Sequence, residues 1–283
     1  MMTYQEEYDR IKEIQEQYPM FVEWSHVKNE LIPYIALSAV VVTAVFMVSM
    51  FFVRRFLPAS EAKVIYKSAY QITNLLVNTA LGVLGFYYYH YVCESNPSFE
   101  DLAIGYREVF PMACAQIGYQ IWAIPVGLTL VGESPAMIGH HFSVILITSM
   151  TAIFTMGFSW FQPFMFGILE LSSVPLAVMN AFKDNPEYIK KYPKTYLAVR
   201  IIFSFTFLYI RWYMYFPLKF DFLRLFGMTV ITHRSAFAIV YTGMAWLGSS
   251  FLCVLQTMWG FLIIKGIVKK IFGKPKKANK KLE

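Results

Sequence analysis

Long apolar runs alternate with short polar connections along this chain. Seven runs stand out, at 31–53, 71–92, 111–131, 136–157, 161–182, 195–217 and 236–264. Each has about 20 residues or more, enough at roughly 1.5 Å per residue to cross about 30 Å of hydrocarbon. Continuous runs of this length predict helices; a membrane barrel would show short alternating strands. The first thirty residues are polar and mixed in charge. Within them 4–18 predicts a short surface helix carrying Glu6, Glu7, Asp9, Glu13 and Glu16. The start does not read as a signal peptide, because no apolar core follows a basic segment. Aromatic rings cluster at Phe86, Tyr87, Tyr88, Tyr89 and Tyr91, a composition suited to a membrane interface.

Composition sharpens this picture. Of 283 residues, 57% are hydrophobic and only 15% charged, against about 45–50% and about 25% in soluble domains. A soluble chain of this length has no interior able to hide so much apolar surface. An ordinary cytosolic enzyme, a disordered chain and a disulfide scaffold are excluded. The predicted fold class is all-α: a polytopic membrane helix bundle of about seven spans. Cys93, Cys114 and Cys253 are too few and too scattered for a disulfide framework or a metal site. Of the histidines, His26, His90 and His233 stand alone and only His140 and His141 are adjacent. The histidine clusters that hold two irons in membrane oxidases are absent, so no metal is expected.

The formal charge of +7 does not point to nucleic acid, because no soluble domain carries a basic stripe. With the N-terminus outside the cytosol, the cytosolic connections hold Arg54, Arg55, Lys63, Lys67, Lys183, Lys190, Lys191 and Lys194. The eight lysines from Lys265 onward join them, and seven basic residues fall on the other side. The bias predicts a cytosolic C-terminus. The chain ends Lys280-Lys281-Leu282-Glu283, which resembles the dilysine retrieval signal of endoplasmic reticulum membrane proteins. Coat machinery that reads such a tail is then an expected partner.

Ionisable groups inside spans are costly and usually face a bundle interior or a cavity. His140 and His141 open the fourth span, about 100° apart around the helix, so one ring can face inward while the other faces a neighbour. A neutral imidazole can act as base or nucleophile; the same pair also reads as interfacial histidines bonded to backbone or lipid. Glu170 lies about 12 Å into the fifth span, with Ser173 at i+3 on its face and Pro175 freeing a carbonyl near Leu171. Arg200 and Arg211 share a face of the sixth span. By depth Arg211 is placed to meet Glu170, as a structural ion pair or a cavity wall. Gln256 and Trp259 share a face of the last span. The histidines near one end and Glu170 near the other predict a gap of roughly 12 Å between them.

The order of these features resembles the TLC domain, shared by translocating-chain-associated membrane proteins, ceramide synthases and the CLN8 type. The resemblance rests on Gly118-Tyr119, then His140-His141-Phe142-Ser143, then Leu169-Glu170-Leu171-Ser172-Ser173-Val174-Pro175 with Asn180. Phe205 through Arg211 and Leu255 through Trp259 continue it. It divides the chain into a polar segment 1–30, an extra span 31–55, a TLC domain over 60–270 and a basic tail 271–283. Ceramide synthases carry a further Asp where this chain has Leu171-Ser172-Ser173. The Glu-Leu-Ser-Ser form is similar to the transmembrane protein 56 type.

The resemblance implies six core helices around a lipid cavity faced by His140, His141 and Glu170. The expected function is binding or handling of membrane lipid in that cavity, contributing to membrane lipid homeostasis. The alternative is an acyl-CoA-dependent acyltransferase such as a ceramide synthase, with acyl-CoA as co-substrate in that case alone. No other cofactor is expected, and a homodimer is compatible with the pattern. A receptor or transporter is disfavoured, because neither a receptor signature nor a pair of inverted halves is present.

Overall fold

The computed structural model describes residues 3–17, 24–56, 62–93, 97–98, 101, 106–153, 159–232 and 236–272, and every element among them is a helix. Helix α1 (Tyr4–Gln17) begins with a capping box. The Thr3 N–H donates to Glu6 Oε2 at 2.6 Å, and Thr3 Oγ1 accepts from the Glu6 N–H at 3.3 Å. Reciprocal bonds of this kind satisfy two orphan donors at a helix start. The Thr3 N–H, joined by the Thr3 hydroxyl donating to the same Oε2 at 3.0 Å, holds the Glu6 carboxyl below its usual range.

Seven long helices follow: α2 (Trp24–Phe56), α3 (Ala62–Tyr91), α4 (Phe110–Val131), α5 (Pro135–Ile153) and α6 (Ser159–Asp184) come first. After the short α7 (Pro186–Lys191), α8 runs through Pro193–Leu208, Tyr209–Met214 and Tyr215–Thr232, and α9 is Ala236–Phe272. Among the described residues, α2, α4, α6, α8 and α9 are long and apolar enough to cross a membrane. Helix α5 is a shorter apolar helix. Helix α3 is long but carries Gln71, Thr73, Asn74 and Asn78 in its middle, and three of these are buried.

Successive helices run in alternating directions. At one end Lys67 pairs with Asp184 at 3.2 Å and Asn185 donates to Ser68 at 3.3 Å. At the other end the Tyr106 N–H donates to Ser159 Oγ, and the His26 and Phe110 rings lie 5.1 Å apart. Helix α1 docks at this second end, where Glu7 pairs with Arg224 of α8 at 3.1 Å.

The sixth helix differs from expectation. Its run was expected to close at Pro217, yet the helix continues to Thr232. A π turn at Tyr209–Met214 opens the hydrogen-bond ladder just where the proline lacks its N–H, so the ring is accommodated. Part of the fourth run, 154–157, lies outside the described residues.

Small residues set the packing, as is usual where lipid tails compete with side chains for apolar contact. Gly85 of α3 lies against Gly167 of α6 so closely that a Cβ on either would meet the other's Cα. Gly118 of α4 packs against Ile35 and Ser38 of α2, and Ser38 Oγ donates to the Ala115 carbonyl at 3.0 Å. Between these contacts Tyr70, Trp122 and Tyr119 stack, with centroids 5.5 and 6.2 Å apart.

The glycine contact makes a prediction. Gly85→Val should force α3 away from α6 at the cost typical of overpacking, about 1–3 kcal/mol. Thermal unfolding in detergent should show a lowered midpoint, whereas Gly243→Ala, in open space, should leave it unchanged. Equal midpoints for the two variants would refute the close approach.

Candidate functional site

The site begins with a broken helix. Pro163, Gly167 and Pro175 interrupt the regular ladder of α6. The segment Pro163–Gly167 is a π turn and Ile168–Ser172 a tight 3-10 turn before regular helix resumes at Ser173. Gly167 itself has φ −120° and ψ −75°, outside the helical region. The break frees backbone groups in the middle of an apolar bundle, where each needs a partner.

Arg211 supplies much of what the break requires. Its Nη2 donates to the Leu169 carbonyl at 3.1 Å and to Ser173 Oγ at 3.0 Å, and its Nε donates to Ser172 Oγ at 2.6 Å. The same guanidinium lies 3.7 Å from Glu170 Oε2. Glu170 also accepts from Ser173 Oγ at 2.8 Å and from Gln116 Nε2 at 3.4 Å. Both charged groups are buried, so each is compensated by its partner and by hydrogen bonds.

The paired histidines occupy different environments. His141 is buried; its Nε2 faces Glu133 Oε2 at 3.0 Å, and the Gln120 side-chain amide lies against its Nδ1. Glu133 also accepts from the Tyr70 hydroxyl at 2.8 Å. His140 is half-buried, with its ring 5.9 Å from that of Trp259. Its Nδ1 is a buried atom with no hydrogen-bond partner in the structure.

These groups border two small cavities. The larger, about 80 Å³, is lined by His140, His141, Glu133, Glu170 and Ser173, together with Asn74 and Asn78 of α3. The smaller, about 30 Å³, lies where His140 and Glu170 meet Arg211, Lys219, Gln116 and Gln256. His140 and Glu170 border both. Lys219 is buried against Ser249, to whose hydroxyl it donates, and against the Tyr215 and Phe222 rings. The Oε1 atoms of Gln116 and Gln256 are buried without partners.

The three residues expected to face one cavity, His140, His141 and Glu170, line the larger one together with Ser173. Arg211 and Gln256 line its neighbour, and Trp259 touches the His140 ring. Lys280 and Lys281 lie outside the described residues. The expected gap of roughly 12 Å between the histidines and Glu170 does not isolate them. That expectation took helix ends as level. Ser68 of α3 meets Asn185 beyond α6, while Tyr70, further along α3, reaches Glu133 in the turn between α4 and α5. The turn is recessed, which brings the histidines toward Glu170.

Sequence reasoning missed Glu133, Gln116, Gln120 and Lys219. Glu133 was passed over as a residue of a short connection, although it stands only eight residues before His141. Gln116 and Gln120 are an i, i+4 amide pair within an apolar run, which was signal enough for a shared inward face. Lys219 was assigned to the connection after the sixth span and is instead fully inside the helix bundle. Among the described residues no group of three or more His, Cys, Asp or Glu side chains could hold a metal.

A family model described as the TLC domain matches residues 65–265. No curated protein and no solved structure matches the chain.

Arg211→Met should leave Glu170 buried without a counter-charge and should cost about 3–5 kcal/mol. Adding Glu170→Gln in the same chain should recover much of the loss. Unfolding curves of the two single variants and the double variant measure the coupling, and strict additivity would show that the two groups do not act as a pair.

Proposed function

Because the chain belongs to the TLC-domain family, an integral membrane class, we propose that it holds the polar head of a membrane lipid between His140 and Glu170. In this reading the protein contributes to membrane lipid homeostasis. One observation carries it: His140 presents an unpartnered Nδ1 at the wall of a buried polar cavity that Glu170 also borders. Buried polar atoms are nearly always satisfied, by protein, water or ligand. A volume of about 80 Å³ suits a hydroxyl or amine with a water molecule, and the acyl chains stay outside among the helices. His141, held by Glu133 and Gln120, fixes the orientation of the helix that carries His140. Arg211 pairs with Glu170 and holds it in place.

A second reading, acyl-CoA-dependent transfer to an amine or hydroxyl, draws support from the His141–Glu133 contact. Glu133 and Gln120 hold His141, and beside it His140 presents an open imidazole nitrogen able to take a proton. In that reaction the acceptor attacks the thioester carbonyl as His140 takes its proton, the carbon–sulfur bond breaks, and His140 passes the same proton to the departing sulfur, so that CoA leaves as thiol. Acyl-CoA is then the co-substrate.

The remaining assignments follow the charge pattern. The C-terminus faces the cytosol, and Lys280 and Lys281 are read by coat machinery that returns the protein to the endoplasmic reticulum. A homodimer is compatible with this placement.

Four measurements test these readings. Purified protein should carry co-extracted lipid, and the double variant His140→Ala, His141→Ala should retain about fivefold less, the worth of roughly one hydrogen bond. Labelled acyl-CoA with sphingoid and glycerol acceptors should yield no product; product that vanishes in the double variant would replace the first reading with the second. In cells whose plasma membrane alone is permeabilised, antibody should reach a C-terminal tag, and Lys280→Ala with Lys281→Ala should release the protein from the endoplasmic reticulum. A protected tag would overturn the orientation.

A further inference from the structure

The central cavity is too small for an acyl chain, but a second space is not. An apolar groove of about 580 Å³ lies on the outer side of α3 and α6. Its lining alternates along those helices with the lining of the polar cavity. On α3, Ser68 and Ile72 face the groove, while Gln71 and Asn74 face the cavity. On α6, Val178, Ala181 and Phe182 face the groove, while Ala177 and Asn180 face the cavity. Groove and cavity are thus back to back across one helix pair.

The other wall is α2. Phe52, Val53 and Phe56 close the groove on that side, and all three precede residue 65, where the family match begins. The groove is therefore not a feature of the TLC domain alone. It exists because an additional helix stands beside that domain. At one end it becomes polar: Asn185, Tyr188, Lys191 and Tyr192 complete the lining, and Asn185 bridges to Ser68 at 3.3 Å.

Charge is strongly one-sided at this end. Arg54, Arg55, Lys63, Lys183, Lys190 and Lys194 are exposed around the same helix ends as Lys191. Among the described residues there, Asp184 is paired with Lys67 and Glu187 is the other acid. Apolar walls leading to an uncompensated basic rim are complementary to one class of occupant, a lipid with an anionic head.

We propose that this groove is a binding site for an anionic phospholipid, with one acyl chain between α2 and the α3–α6 pair and its phosphate at Lys191. It is independent of the chemistry at His140. The occupant comes from the leaflet at the basic end of the bundle, and its chain packs against Phe52, Phe56, Ile72 and Val178.

The test uses the full-length protein in mixed micelles, titrated with phosphatidylserine or phosphatidylcholine and read by native mass spectrometry. Wild-type protein should retain phosphatidylserine about tenfold over phosphatidylcholine. Lys191→Glu should cut that preference about fivefold or more. Ala181→Trp and, from the opposite wall, Val53→Trp should each lower retention of the lipid about tenfold, the worth of two or so methylenes withdrawn from burial. Helical circular dichroism confirms that the compared variants are folded, and whichever filling variant is folded serves. His140→Ala with His141→Ala should leave the preference for phosphatidylserine over phosphatidylcholine unchanged even where total lipid falls, which separates failure here from failure of the cavity reading. Equal retention of the two lipids, or retention indifferent to a filled groove, would reduce the occupant to ordinary annular lipid and overturn the proposal.

Discussion

Arg211 is the residue on which the centre of the bundle depends. A helix broken by Pro163, Gly167 and Pro175 cannot satisfy its own backbone, and lipid offers no water to do so. The guanidinium reaches across from α8, donates to the Leu169 carbonyl and to Ser172 and Ser173, and neutralises Glu170. One planar cation with several donors can serve backbone, hydroxyl and carboxylate together; an ammonium could not cover the same geometry. Once Glu170 is held this way, Gln116 is drawn toward it, and the carboxylate borders the same space as the histidines.

The second constraint is distance between backbones. Gly85 against Gly167, with Gly82 against Leu171, lets α3 and α6 approach more closely than ordinary side chains permit. Their near faces are thereby fully used in packing, and their flanks are left to line separate spaces. One flank carries amides and hydroxyls toward the histidines. The other carries aliphatic residues toward α2. A single tight helix contact thus sorts polar from apolar volume inside the same membrane-embedded unit.

Much of this was readable in the chain because the membrane imposes a coarse grammar. The runs had to be helical and long, and an ionisable group within one had to turn inward. Those rules located His140, His141, Glu170 and Arg211 without any contact information. They failed where the argument depended on relative height. Helix ends were taken as level, which separated the histidines from Glu170, whereas the recessed turn after α4 carries Glu133 down to Tyr70 and His141. Hydropathy also has no symbol for a π turn. It therefore ended the sixth helix at Pro217 and placed Lys219 in a connection, although the lysine is buried against Ser249. Glu133 was missed for a related reason: a charged residue in a three-residue connection looks like solvent-facing punctuation when its neighbours in space are unknown.

The π turn at Tyr209–Met214 has a meaning beyond tolerating a proline. A π turn holds one residue more than the α-helical turn it replaces, and one residue corresponds to about 100° of rotation. Arg211 sits within that turn. If the segment wound to ordinary pitch, everything on one side of it would revolve by that angle relative to the other. The guanidinium and the far half of α8, with its link to α1 through Arg224, could not both stay in register. The ion pair to Glu170 therefore acts as a lock on the thread of a screw. It holds the π turn in register with α6 on one side, while the far half of the same helix reaches the N-terminal segment through Arg224 and Glu7.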